Sequence, residues 1–107
     1  MNHKLLDEYI KCINEERYYN AHESIESIWF PRRFENNNEI KLLKGFINAA
    51  VSFELYKRGK KKQSLRVWAN YLKYRQLLYK IDSPYLNRYN TISREIEAKY
   101  QRLICCV

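Results

Sequence analysis

His22, Glu26 and Trp29 stand at positions i, i+4 and i+7 of the run Ala21-His22-Glu23-Ser24-Ile25-Glu26-Ser27-Ile28-Trp29. A helix therefore places an imidazole, a carboxylate and an indole on one stripe. An imidazole and a carboxylate one turn apart can supply two ligands of a divalent metal site. They can equally grip the polar end of a small ligand. Their third use is to hydrogen-bond each other and lock two helices, since buried polar groups need partners. The zincin pattern His-Glu-x-x-His lacks its second histidine here, and Glu54 is the only acidic residue of the next helix able to add a third ligand. Trp29 one turn beyond offers a large apolar surface with an N–H that wants an acceptor, and Glu26 is a candidate for it. The preferred reading is a non-enzymatic interaction or small-ligand-binding module built on His22, Glu26 and Trp29, with no catalytic residue, metal or cofactor assigned. The alternative is a metal-dependent enzyme using His22 and Glu26.

A second constellation is electrostatic. Of the net charge of +8, residues 41–80 carry eleven basic side chains and one acidic, whereas residues 1–40 are net acidic. Arg58, Lys60, Lys61, Lys62 and Arg66 cluster, and Tyr71, Tyr74, Arg75 and Tyr79 follow on the same predicted helix. Cations interleaved with aromatics suit phosphates and bases, so a nucleic-acid surface over 57–75 is a third reading. No zinc-finger spacing or marked helix-turn-helix supports it, and a solvated basic face is favoured over it. Serine-triad residues, a glycine-rich phosphate loop and a disulfide framework are all missing; Cys12, Cys105 and Cys106 read as reduced thiols of a cytoplasmic protein. No stretch is long and apolar enough for a membrane span.

The elements that must position these groups are helical. The chain has 107 residues, room for one domain, with only two Gly and two Pro. Leu5, Leu6, Tyr9, Ile10 and Ile13 predict a helix over about 3–15. Asn20 with Glu23 three residues later suggests a capping box for the helix ending at Trp29, with Pro31 as its stop. Asn38 is a plausible cap for the third helix, about 40–57, which is apolar over most of its circumference and hence central. Gly45 would admit a close neighbour, and Gly59 stands where a C′ glycine belongs. A fourth helix, about 61–80, is expected to turn Leu65, Trp68, Leu72 and Tyr79 inward. Ser83-Pro84 opens the last segment, which carries Ile92, Ile96, Tyr100 and Leu103 as its stripe and a break near Asn90. The fold class is thus all-α: one bundle of about five helices spanning 1–107.

His22, Glu23, Glu26 and Trp29, followed by Lys44-Gly45-Phe46-Ile47-Asn48-Ala49-Ala50 and Lys57-Arg58-Gly59, resemble a small all-helical bacterial and archaeal family catalogued as domain of unknown function 309. The resemblance covers about residues 15–80. It implies a compact helical bundle and marks the motif positions, and it supplies no activity. It also implies departures: Asn48 where glutamine is expected, Glu54 near a place often held by histidine, and Lys60-Lys61-Lys62 in place of a more neutral turn. Finally, the ten tyrosines exceed what one small core is expected to hold. Tyr71, Tyr74 and Tyr79 on the fourth helix, and Tyr85, Tyr89 and Tyr100 on the fifth, are therefore expected to form a homodimer contact.

Overall fold

The computed structural model describes residues 2–104. Five α-helices follow one another: α1 Asn2–Asn14, α2 Tyr18–Trp29, α3 Asn38–Lys57, α4 Lys61–Arg75 and α5 Leu86–Leu103. Short 3-10 turns at Phe30–Arg32 and Gln76–Lys80 extend α2 and α4. Among the described residues there is no strand, and no helix is long and apolar enough to cross a membrane. Cys12 is buried and free, while Cys105 and Cys106 lie outside the described residues.

α3 is the hub. Ile40, Leu42, Leu43, Phe46, Ala49, Ala50 and Phe53 are all buried, so α2 and α4 pack on different sides of it. The Phe46 ring lies against the rings of Tyr9, Tyr71 and Tyr89, and thereby joins α1, α4 and α5 at the centre. Gly45 allows the closest approach: a Cβ there would sit 2.7 Å from the Tyr74 Cβ. Further along, Ser52 and Ser64 donate to each other's backbone carbonyls at 2.7 and 2.8 Å, sealing the same α3–α4 contact with buried polar groups that are fully paired.

The helix ends follow local chemistry. Gly59, at φ 80°, closes α3 in a Schellman arrangement, with Lys60 N–H on the Leu55 carbonyl and Gly59 N–H on that of Tyr56. The N-cap of α3 is Asn37 rather than Asn38, its side chain accepting the Ile40 N–H at 3.0 Å. The capping box at Asn20 does not form. α2 begins three residues earlier behind Arg17, which makes no side-chain cap, and the Asn20 carbonyl is taken by the Ser24 hydroxyl. α2 does end at Trp29 as expected, and Pro31 sits in the first turn of the 3-10 segment that follows, where a proline needs no N–H partner. α5 runs unbroken through Asn90. Asn90 and Thr91 turn their side chains back onto the Leu86 and Asn87 carbonyls, which lets such residues sit inside a helix.

The inward face of α4 differs from the expected one. Ser64, Trp68 and Tyr71 are buried, with Leu78 beyond them, whereas Leu65, Leu72 and Tyr79 are exposed. The apolar stripe lost to a polar-looking one because each buried hydroxyl has a tertiary partner. Tyr71 meets Ser93 at 2.8 Å and donates to Glu97 at 3.0 Å, and Arg75 binds the same carboxylate. Tyr89 likewise donates to Glu39. Tyrosines expected on the surface thus fill the core, and Tyr71 and Tyr89 are unavailable to any dimer contact.

Candidate functional site

α2 and α3 run antiparallel, so the His22 end of α2 faces residues 50–58 of α3 and the Trp29 end faces residues 40–44. An open cleft lies at each end of this contact. The first, about 260 Å³, is lined by Tyr18, Tyr19, His22, Ala50, Val51, Glu54, Leu55 and Arg58. The second, about 370 Å³, is lined by Trp29, Arg33, Phe34, Glu35, Asn36, Ile40, Lys41, Lys44 and Tyr74.

The His22–Glu26–Trp29 stripe is therefore split. His22 Nε2 lies 3.3 Å from Glu26 Oε2, with the imidazole a quarter exposed and the carboxylate less than half exposed. That pair is brought together as expected. Glu26, however, lines neither cleft, and no hydrogen bond joins it to Trp29 among the described residues. The reason is the helix rise: seven residues span about 10 Å along the axis, too far for His22 and Trp29 to share one small pocket. The single pocket expected from all three residues is corrected to two separate clefts.

In the first cleft the apolar floor is Ala50, Val51 and Leu55, and the polar groups stand around it. Glu54 accepts from Arg58 Nε at 2.9 Å, one turn along α3. The Tyr19 ring meets His22 edge-on at 6.0 Å between centroids. Tyr18 packs its ring on Phe53 at 5.3 Å and is almost wholly buried, yet its hydroxyl has no hydrogen-bond partner. Burial, reinforced by nearby Glu16, pushes that hydroxyl up to about 12, so it is a neutral donor at physiological pH. Glu54 does lie at the His22 cleft, but its carboxylate is engaged by Arg58. Among the described residues no three His, Cys, Asp or Glu side chains converge as a metal ion would require. Asn48 spends its amide on the Lys44 carbonyl at 2.8 Å within α3 and lines neither cleft.

The basic tract is also divided. Arg58, Lys60, Lys61, Lys62 and Arg66 are exposed at the α3–α4 turn and on the outer side of α4. The aromatics meant to interleave with them go elsewhere: Tyr71 into the core, Tyr74 to the Trp29 cleft, and Tyr79 beyond the end of α4. Phosphate pairing remains available to these cations, but Tyr71 cannot stack on a base.

Sequence reasoning missed Tyr18, Tyr19 and Arg58 as members of the His22 cleft. Tyr18 and His22 are four residues apart and so was legible as a neighbour. The absence of a partner for its hydroxyl was not.

Taken together these features define an all-α domain whose central helix carries a cleft at each end of its contact with α2. The sequence model described as "Domain of unknown function (DUF309)" matches residues 6–67, more than half of the chain, from α1 into α4. The chain belongs to this family. No curated protein and no solved structure matches it.

Proposed function

We propose that the protein is a non-enzymatic, cytoplasmic binding module whose His22 cleft takes a small ligand with an apolar body and a hydrogen-bonding head. One observation carries this: Tyr18, which lines the cleft, keeps a buried hydroxyl without a partner. Such a group costs about 1–3 kcal/mol unless something pairs with it, and a ligand head would do so once the Tyr18 side chain turns toward the cleft, since the hydroxyl is inaccessible where it stands. A cavity of about 150 Å³ is enough for a benzene ring, so the roughly 260 Å³ here fits one substituted ring. Val51, Ala50 and Leu55 would cover the ring, while His22 and Arg58 offer donors at its edge. Glu26, beside His22, orients the imidazole.

Substituted phenols, benzamides and benzoates are the probes. Thermal melting of the full chain should rise with probe concentration as a bound ligand requires, and His22→Ala together with Arg58→Gln should abolish the rise. A rise unchanged in both variants would place binding elsewhere and defeat the proposal. We also propose that the chain pairs with a second copy through the outer side of α4, where Leu65 and Leu72 lie exposed two turns apart.

A further inference from the structure

The second cleft has a different chemistry. After α2 the chain turns through Phe30-Pro31-Arg32 and then Arg33-Phe34 before α3 begins. Phe34 is 87% exposed and Phe30 is 52% exposed. Trp29 is part-exposed beside them, meeting Phe30 edge-on at 6.5 Å between centroids. Large rings are seldom left so open in a folded domain unless they meet a partner. Cations surround them. The Arg33 guanidinium lies 3.7 Å from the Phe30 ring centre and 4.5 Å from that of Phe34, and Lys44 Nζ lies 6.0 Å from the Trp29 ring. Lys41 is exposed on the first turns of α3 and lines the same cleft.

The one carboxylate in the lining is already committed. Glu35 accepts two hydrogen bonds from Arg32 at 3.1 Å and a third from the Asn37 amide at 3.2 Å, and the Arg32 bonds hold its carboxyl below the ordinary carboxylate value. Arg33 is held too, donating to the Phe30 carbonyl at 2.6 Å while it lies over the Phe30 and Phe34 rings, so Lys41 and Lys44 are left to face an incoming anion. We infer that this cleft binds single-stranded nucleic acid, stacking successive bases on Phe34 and Trp29 of its lining and on the adjoining Phe30, while Lys41 and Lys44 pair with phosphates and Arg33 braces the two phenylalanine rings from one side. Rings interleaved with cations along a groove are what a single strand needs. Three separate rings exceed what one base can cover, which favours a strand over a free nucleotide. A duplex keeps its bases stacked away from such rings. The site is distinct from the Lys60–Lys62 turn, where a single part-exposed ring, Tyr56, lies beneath Lys61 Nζ at 5.7 Å, and it is independent of the His22 cleft.

The test uses the full chain and fluorescein-labelled dT12 and U12, read by anisotropy across a salt series. Binding should weaken as salt rises. Lys41→Gln with Lys44→Gln should flatten the log–log slope by about 1.4, the value for two phosphate contacts on a single strand. Phe34→Ala removes a ring that is not part of the core and should weaken binding about tenfold, the scale of one lost base stack. Quenching of tryptophan emission should report Trp29, because Trp68 is buried and stacked on Tyr100. The dT12 and U12 arms distinguish DNA from RNA as the better strand, and tight binding of either supports the site. Thymidine monophosphate should not compete at equal nucleotide concentration; if it does, the strand reading fails. Absence of binding at low salt overturns the inference. So does an affinity abolished by Lys60→Gln, Lys61→Gln and Lys62→Gln but untouched by Phe34→Ala. Equal binding of polyglutamate of matched charge, insensitive to Phe34→Ala, would make the surface a general acidic-polymer site and overturn it too.

Discussion

Tyr9→Phe and Tyr18→Phe are the same chemical change, deletion of one hydroxyl from a buried ring, and they should move stability in opposite directions. Both residues are essentially inaccessible. The Tyr9 hydroxyl crosses from α1 to donate to the Phe46 carbonyl of α3 at 2.7 Å. Removing it loses a buried hydrogen bond, a net loss of about 1 kcal/mol. The Tyr18 hydroxyl has no partner, so its removal takes away a desolvated polar group and nothing else, a gain of about 1 kcal/mol or more. At about 2.1 cal/mol/K of unfolding entropy per residue, a chain of 107 residues converts 1 kcal/mol into a Tm shift of about 4–5 °C. Tyr9→Phe should therefore melt lower by that amount and Tyr18→Phe higher, a separation of about 8–10 °C between variants of identical composition. Calorimetry or urea unfolding with an unchanged m-value would measure it. If Tyr18→Phe were destabilised as much as Tyr9→Phe, the Tyr18 hydroxyl would have a partner after all, and the observation behind the cleft proposal would be gone.

Gly45→Ala should destabilise despite the better helix propensity of alanine, about 1 kcal/mol. Its Cβ would meet the Tyr74 Cβ at 2.7 Å, an atom fixed to the α4 backbone, and overpacking of this kind costs about 1–3 kcal/mol. Urea unfolding should show a net loss of up to about 2 kcal/mol, and an unchanged or raised stability would mean α4 shifts freely. Alkali should unfold the protein: burial raises Tyr18 to about 12, holds Tyr71 and Tyr89 higher still, with the Glu39 carboxylate adding to the effect at Tyr89, and raises Tyr9 well above the ordinary tyrosine value. Raised folded values mean the stabilising effect is complete below about pH 10, the free tyrosine value, and is lost as pH rises through the folded values. Tyrosinate absorbance should then include a late, cooperative phase coincident with loss of helical circular dichroism; ten tyrosines ionising in one step with helix intact would contradict it. Light scattering should give a dimer mass that Leu65→Glu with Leu72→Glu converts to monomer, and a monomer in the parent chain would refute pairing through α4.

α3 was legible because its apolar residues crowd every side, from Ile40 to Phe53, and no tertiary detail is needed to read such a helix as central. Gly45 and Gly59 were legible for local reasons, a missing Cβ and a left-handed C′ position. Glu16 takes the same left-handed role after α1, at φ 60°, and nothing in a glutamate announces it. The inward face of α4 was misread because Ser64 and Tyr71 look polar until Ser52, Ser93 and Glu97 are brought to them from elsewhere in the chain. Burial of these two hydroxyls is decided by their partners, which are twelve or more residues away. The same limit applies to the site. The His22–Glu26 pair follows from spacing within one helix, whereas the cleft around His22 depends on residues of α3 that helical periodicity within α2 cannot supply.

Amide chemical-shift mapping of the full chain with the strongest-binding substituted benzoate, benzamide or phenol addresses the His22 cleft most directly. The proposal expects the largest changes at Tyr18, Tyr19, His22, Val51, Glu54 and Leu55, with a saturable dependence on concentration and loss of the pattern in Arg58→Gln. Changes scattered over the surface, or concentrated at Trp29 and Phe34 and indifferent to Arg58→Gln, would show that the His22 cleft is not a binding site.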